Sequence, residues 1–96
     1  MALYIVLCNY TDQGIKAVKD SPKRADAARD LAKKLGCTMK ELYLTMGNYD
    51  LVTMVEAPDD ETMARFGLTL ASAGNIRTTT LRALSEESYR KIIGSI

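Results

Sequence analysis

The sequence predicts an α+β fold in which helices cover one face of a four-stranded antiparallel sheet. Strand-like and helix-like patterns alternate along all 96 residues, and a proline or glycine separates most neighbouring patterns. A tight turn at Gly47–Asp50 joins the two central strand-like runs. The length fits one domain, residues 1–96, and a hydrophobic content of 47% is enough to build a core.

The chain opens with a strand and a broken helix. Residues 3–9 form a short apolar run, which predicts a buried strand. Thr11 or Asp12 can cap a short helix that presents Ile15 and Val18 on one face. We expect the helix to break at residues 21–22, because proline has no amide hydrogen and disfavours helical geometry in the residue before it.

A longer helix and a second strand follow. Residues 22–35 predict a helix that Gly36 ends, with an apolar stripe made of Ala25, Ala28, Leu31, Ala32 and Leu35. Residues 38–46 predict a strand that points Glu41, Tyr43 and Thr45 to one side and Lys40, Leu42, Leu44 and Met46 to the other.

The second half repeats the order of strand, helix and strand. After the turn, residues 51–57 predict a third strand, which Pro58 ends, and Asp59 or Asp60 can cap a helix reaching about residue 73. Residues 76–83 are rich in threonine and predict a fourth strand. Ser85 can cap a short final helix with an apolar side at Tyr89, Ile92 and Ile93.

These elements predict a ferredoxin-like βαββαβ sandwich with a broken first helix and a short C-terminal helix. Helices then cover one face of the sheet and leave the other bare. We place Leu51, Val55 and Tyr43 on the bare face and expect a second copy of the chain to cover it, sheet against sheet.

The amino-acid composition limits the catalytic groups, the metal sites and the kinds of binding partner that we expect for this chain. The chain has no histidine, which excludes imidazole catalysis and imidazole metal sites. We expect no metal and no cofactor. Net charge is +1, with no basic field for nucleic acid and no apolar run long enough to cross a membrane. With two cysteines and no secretion signal, we expect a cytoplasmic protein with reduced thiols.

Four separated motifs resemble the GYD-domain family. They are NYTDQG at 9–14, DSPKR at 20–24, YLTMGNYD at 43–50 and VEAPDD at 55–60, and together they span nearly the whole chain. The namesake turn here carries an additional Asn48 between glycine and Tyr49-Asp50. The resemblance implies a prokaryotic protein that forms a dimeric α/β barrel. It implies no agreed reaction and no established catalytic residues.

Residues 43–83 are similar, more weakly, to the ligand-binding domain of leucine-responsive regulators. The similarity lies in the turn before an apolar strand and in GNIRTTT at 74–80. Those domains bind amino acids at subunit interfaces. This chain lacks the helix-turn-helix that such regulators carry, so we expect no direct contact with nucleic acid.

Six residues are candidates for lining a ligand pocket: Asn9, Tyr10, Glu41, Tyr43, Tyr49 and Arg77. Strand ends and tyrosines often border ligand crevices, and an arginine can hold a carboxylate. Each has a structural alternative. Tyr10 can pack on the first helix, Glu41 and Tyr43 can lie on a solvated or interface face, and Arg77 can form a surface ion pair.

The turn residues Gly47, Asn48 and Asp50 are explained by structure alone. Glycine supplies backbone freedom, and the side chains of asparagine and aspartate bond to nearby backbone. The functional alternative places Tyr49 or Asp50 at the mouth of a cleft.

Two function classes remain, beside a purely structural oligomer. The first is a homo-oligomeric sensor or carrier that binds a small molecule without chemistry. The second is a cofactor-free enzyme, a monooxygenase or isomerase acting on a small organic acid or quinone-like substrate in a dimeric barrel.

Overall fold

The computed structural model describes residues 1–96 and contains four strands and four α-helices. Their order is β1 (Ala2–Tyr10), α1 (Asp12–Lys16), a 3₁₀ turn (Val18–Asp20), α2 (Ser21–Lys34), β2 (Thr38–Leu44), β3 (Leu51–Ala57), α3 (Asp60–Ser72), β4 (Ile76–Ala83) and α4 (Glu86–Gly94). No helix combines the length and the apolar character needed to cross a membrane.

The strands form one antiparallel sheet in the order β2-β3-β1-β4, which confirms the predicted α+β, ferredoxin-like fold. β1 lies in the centre, where Cys8 faces Leu51 of β3 on one side and Thr78 of β4 on the other. β2 and β4 are therefore the two edges of the sheet.

The core lies between the sheet and the helices α2 and α3. β1 alternates strictly, with Tyr4, Val6 and Cys8 buried on this side. Phe66 of α3 and Val55 of β3 are the largest side chains that are fully buried. This alternation is the pattern of a sheet that is covered on one face only.

The bare face of the sheet, which we call the open face, carries a different set of residues from the predicted one. Val55 is fully buried among the helices, and Leu51 packs against the same core, so both predictions were wrong. The register gives the open face to alternate positions of three strands, with Tyr43 on the edge strand β2: Leu3, Ile5, Leu7 and Asn9 of β1, Val52, Met54 and Glu56 of β3, and Arg77, Thr79, Leu81 and Ala83 of β4. No helix of the chain covers these residues.

A bulge explains why the predicted alternation in the second strand fails. The pairing of β2 with β3 shifts between Met39 and Leu42, and both of these residues face the helices. Lys40 forms an ion pair with Glu56 at 2.9 Å and therefore lies on the open-face side, not with Leu42 as predicted. Periodicity alone does not reveal an inserted residue.

The first helix is broken, as predicted, but the break lies earlier. Helix α1 ends at Lys16, and the 3₁₀ turn separates it from α2. Ser21 already has helical angles, φ −54° and ψ −43°, so Pro22 sits in the first turn of α2, where its missing amide costs nothing. The prediction that Ile15 and Val18 share one face of this helix was wrong, because α1 ends at Lys16 and Val18 lies in the 3₁₀ turn; the two side chains are 50% and 43% exposed.

Helix α4 does not dock on its own chain. Ser85 caps it by accepting a hydrogen bond from the amide of Ser88, as predicted. Its apolar side nevertheless stays exposed, with Tyr89, Ile92 and Ile93 each about half accessible. The open face and α4 thus leave two apolar surfaces without a partner in the chain.

Candidate functional site

A cavity lies between α2, α3 and the covered face of the sheet and has a volume of about 280 Å³. Its walls are mostly apolar, and α2 contributes Ala25, Ala27 and Ala28 to them. Alanine methyl groups are too short to fill the space between two helices and a sheet. The remaining walls come from longer side chains, among them Val6, Leu31, Leu51, Phe66 and Leu70.

The polar groups of the cavity gather where β1 ends. The hydroxyls of Tyr10 and Ser21 are 2.7 Å apart and share a hydrogen bond. Arg24 donates from its guanidinium to the carbonyl oxygens of Gly14, at 3.1 Å, and Ala17, at 3.3 Å. The site is an apolar chamber with one polar end, the usual form of a small-molecule pocket.

Cys8 borders this cavity and behaves as part of its apolar wall. Burial raises the pKa of its thiol to about 11, because an apolar environment disfavours the thiolate. The thiol is therefore protonated at neutral pH, and a protonated thiol is a poor nucleophile.

Residues 47–50 form a turn that is fastened to the end of β1. The Asp50 side chain accepts a hydrogen bond from the Tyr10 amide at 2.9 Å, and its own amide donates to the Cys8 carbonyl at 2.9 Å. Thr45 donates its hydroxyl hydrogen to the Tyr49 carbonyl at 2.6 Å. Gly47 has φ +111°, a conformation that favours glycine.

A second joint holds α1 against the loop between α3 and β4. The Thr11 amide donates to the Asn75 carbonyl at 3.1 Å, and the Gln13 side chain donates to the Ala73 carbonyl at 3.1 Å. Gly14 packs so closely here that a β-carbon would lie 1.9 Å from the Asn75 carbonyl oxygen. Because Asn75 also lines the cavity, this joint fixes the polar end of the site.

A polar cluster lies on the far side of α3. The Tyr4 hydroxyl donates to the Asp60 carboxylate, which also lies 3.7 Å from an Arg82 guanidinium nitrogen. The hydrogen bond to Asp60 raises the pKa of Tyr4. The Arg82 guanidinium carbon is 5.7 Å from the centre of the Tyr4 ring, within the range of a cation–π contact.

The structure does not bring the six predicted pocket residues together. Only Tyr10 lines the cavity. Tyr43 is 52% exposed on the open face, Glu41 lies exposed within the bulge, and Tyr49 belongs to the turn. Asn9 and Arg77 face each other in the pairing of β1 with β4, away from the cavity.

Sequence reasoning missed the residues that shape the cavity, above all the alanines of α2. The apolar stripe containing Ala25 and Ala28 predicts a packed core and does not by itself predict a cavity. Its signal was present, since a helix face lined with alanine leaves space that leucine would fill.

The GYD domain family model matches residues 4–93. The chain belongs to the GYD-domain family. This confirms the resemblance seen in the four motifs.

A curated relative comes from Thermus thermophilus and is named "Glutamine synthetase and cystathionine beta-lyase binding protein". It is 38% identical over 85 residues, which cover 88% of this chain and 90% of the relative.

Solved structures share the fold. The crystal structure of FFRP-DM1 superposes with a TM-score of 0.62 at 21% identity and covers 88% of this chain and 100% of its own. The crystal structure of a protein from Thermus thermophilus superposes with a TM-score of 0.57 at 25% identity and covers 88% of this chain and 95% of its own. The crystal structure of a hypothetical protein from Pyrococcus horikoshii superposes with a TM-score of 0.57 at 21% identity and covers 88% of this chain and 92% of its own. These similarities support the fold. Ligand binding of the kind that the resemblance to leucine-responsive regulators implies stays a prediction.

Proposed function

We propose that this GYD-domain protein is a non-catalytic, homo-oligomeric binding module that holds a small molecule as a sensor or carrier. The observation that carries the proposal is the cavity of about 280 Å³ between α2, α3 and the sheet. This volume is close to the lower end of the range for ligand pockets, roughly 300 Å³, so the cavity suits a small ligand.

The cavity favours a ligand with an apolar body and a single polar head. The apolar walls would surround the body, while Tyr10, Ser21 and Arg24 at the end of β1 offer hydroxyl and guanidinium groups to the head. Small aromatic acids, quinones and medium-chain carboxylic acids have this form. Burying their apolar surface would supply most of the affinity, at about 25 cal/mol per Å².

A thermal-shift screen of these three ligand classes tests the proposal. A ligand present at 100 times its dissociation constant stabilises the folded state by about 2.7 kcal/mol, a rise of several degrees in melting temperature for a domain of this size. Ala28→Leu should abolish the rise, because it fills the chamber from α2.

The matched control is Asp30→Leu, which places the same side chain on the exposed side of α2 and should leave the rise intact. A hit that survives Ala28→Leu would place the ligand elsewhere. No hit across the panel would refute the small-molecule proposal.

Homo-oligomerisation is the second part of the proposal. The open face presents an apolar surface centred on Leu3, Ile5 and Leu7 of β1 and on Val52 and Met54 of β3. We expect a second copy to pack on it and form the dimeric α/β barrel, burying more than roughly 1,200 Å² in total. A monomer by light scattering at micromolar concentration would refute this part.

Protein binding is a second candidate function, favoured by a specific observation. The relative that is 38% identical over nearly its whole length carries the name of a protein that binds glutamine synthetase and cystathionine β-lyase. Light scattering of this chain mixed with each purified enzyme tests the candidate. A mass no larger than that of the separate components would reject it.

The enzyme hypothesis draws no support from the cavity. The ionisable groups that line it are the Cys8 thiol, the Tyr10 phenol and the Arg24 guanidinium, and the thiol is protonated at neutral pH. A general base needs a group that ionises near the working pH. We therefore keep the binding module as the proposal.

A further inference from the structure

The polar end of the cavity contains one charged side chain, and that side chain has no counter-ion. Arg24 lines the cavity, whereas no aspartate or glutamate does. It also takes part in none of the three ion pairs of the structure. Asp20 precedes Ser21 in the chain and Asp50 accepts from the Tyr10 amide, yet neither carboxylate lines the cavity. The wall therefore carries a net positive charge beside an apolar chamber, where charges interact more strongly than in water.

The backbone carbonyl groups around this end already accept hydrogen bonds from the protein itself. The engaged carbonyls are those of Gly14, Ala17, Ala73, Gly74 and Asn75. Their donors are the guanidinium of Arg24, the side chain of Gln13, and the hydroxyl and amide of Thr11. An ammonium or hydroxyl donor on a ligand would find none of these carbonyls unpaired.

Side-chain donors at the same end remain free. The Arg24 guanidinium uses two of its N–H groups for the carbonyls of residues 14 and 17, and its other N–H groups have no partner. The Tyr10 and Ser21 hydroxyls share one hydrogen bond at 2.7 Å, which leaves the hydrogen of one hydroxyl free. The Asn75 side-chain oxygen accepts from Gln13 at 3.0 Å, so its amide hydrogens are available. This end thus presents hydrogen-bond donors around a positive charge.

The other hydroxyl groups that line the cavity are used by the backbone. Thr53 donates to the Glu41 carbonyl at 2.7 Å, and Thr69 donates to the Arg65 carbonyl at 2.6 Å. The long walls therefore offer no free hydroxyl hydrogen, and the free donors are confined to one end of the chamber.

We propose that the cavity selects a monoanion, a small organic acid whose carboxylate binds at Arg24, Asn75 and the hydroxyl pair of Tyr10 and Ser21. An ionised carboxylate only accepts hydrogen bonds, and its charge-assisted bonds are about twice as strong as neutral ones. Arg24 is then the residue that determines specificity, and neutral quinones bind more weakly than acids. The inference rests on the proposed small-molecule function and narrows its three ligand classes to the two classes of acid.

Isothermal titration calorimetry tests the proposal with two matched pairs of probes, octanoate with octanamide and phenylacetate with phenylacetamide. The members of a pair have nearly the same shape, but at about pH 7 only the acid is charged. Each acid should bind the wild-type protein at least about tenfold more tightly than its amide.

The wild-type titrations separate failure of this inference from failure of the proposed function. An amide that binds as tightly as its acid, or a quinone that binds when both acids do not, would overturn the inference and leave the small-molecule function standing. Absence of binding by acids, amides and quinones up to about 1 mM would overturn both.

Arg24→Gln should lower the affinity for octanoate about tenfold and leave that for octanamide unchanged. The matched control is Lys23→Gln, because Lys23 is the exposed neighbour of Arg24 and does not line the cavity. This variant removes the same charge from the surface and should bind octanoate like the wild type. A purely structural role of Arg24 would weaken both ligands equally, and a net-charge effect would make the two variants weaken octanoate equally. Either result would overturn the inference.

Asn75→Asp tests the same end even if Arg24→Gln fails to fold. Aspartate keeps the oxygen that accepts from Gln13 and adds a negative charge among the free donors. It should weaken octanoate about tenfold and leave octanamide within about twofold of the wild type. Ala28→Leu, which fills the chamber, should abolish octanoate binding. Octanoate binding that survives both substitutions would place the anion elsewhere and overturn the proposal.

Discussion

Gly14→Ala is expected to destabilise the protein although glycine is the poorer helix former. Gly14 lies inside α1, where alanine ordinarily gains about 1 kcal/mol. Its β-carbon would lie 1.9 Å from the Asn75 carbonyl oxygen, against 3.4 Å for ordinary contact. Since 3.4 − 1.9 = 1.5, the two backbone segments would have to separate by about 1.5 Å.

The cost follows from the hydrogen bonds that this separation breaks. Thr11 donates its amide and hydroxyl hydrogens to the carbonyls of residues 75 and 74, at 3.1 and 2.5 Å. Gln13 donates to Ala73 and to the Asn75 side chain at 3.1 and 3.0 Å. At about 1 kcal/mol each, the four bonds contribute about 4 kcal/mol. Subtracting the gain in helix propensity leaves a net loss of about 2 to 3 kcal/mol.

Urea denaturation at a fixed protomer concentration measures this loss, which should also lower the melting temperature by about 10 to 20 °C. Gly67→Ala is the matched control, because it makes the same change within α3 without a clash and should stabilise by about 0.5 to 1 kcal/mol. A Gly14→Ala protein within about 0.5 kcal/mol of wild type would refute the steric argument.

Three further predictions follow from the open face, the Tyr4 cluster and the buried thiol. Ile5→Asp should convert the oligomer to a monomer by light scattering, while Met46→Asp, in a turn at 99% exposure, should not; an unchanged Ile5→Asp oligomer would exclude sheet-to-sheet packing. The hydrogen bond to Asp60 raises the pKa of Tyr4 above 10.0. The contribution of this hydrogen bond to the free energy of unfolding is therefore complete below pH 10.0 and is lost as the pH rises through the raised pKa. Tyr4→Phe should reduce the alkaline loss in urea titrations, and an identical pH profile would contradict this. Cys8, with a pKa of about 11, should resist iodoacetamide at pH 8 in the native protein and react in urea; rapid native labelling would show that it is not buried.

The order of elements could be predicted because its signals are local. Prolines and glycines mark the boundaries, and Gly36, Gly47 and Gly74 all take the positive φ angles that make glycine the favoured residue. Side-chain hydroxyl and carboxylate caps at Thr11, Asp59 and Ser85 were likewise visible in the chain.

The facing of individual strands could not be predicted as well. A single extra residue between Met39 and Leu42 reverses which side chains reach the open face, and no local signal in this stretch announces it. Sequence periodicity also failed to place Val55 correctly. This residue is apolar enough for either face of the sheet, and it is fully buried in the core.

The candidate site was the least predictable part. Tyr10, Tyr43 and Tyr49 look alike in the sequence, yet only the sheet places Tyr10 at the cavity and Tyr43 on the opposite face. A cavity forms where long-range neighbours fail to fill space, so it depends on how α2 and α3 sit on the sheet.

By itself, the sequence determined the α+β fold, the family and the boundaries of most elements, because periodicity, caps and turn residues act within a few positions of one another. Tertiary structure decided that β4 is an open edge, that the alanines of α2 border a chamber, and that Gly14 touches the Asn75 carbonyl. These features join residues that lie far apart in the chain. Their geometry is set by packing between elements, and no local pattern encodes it.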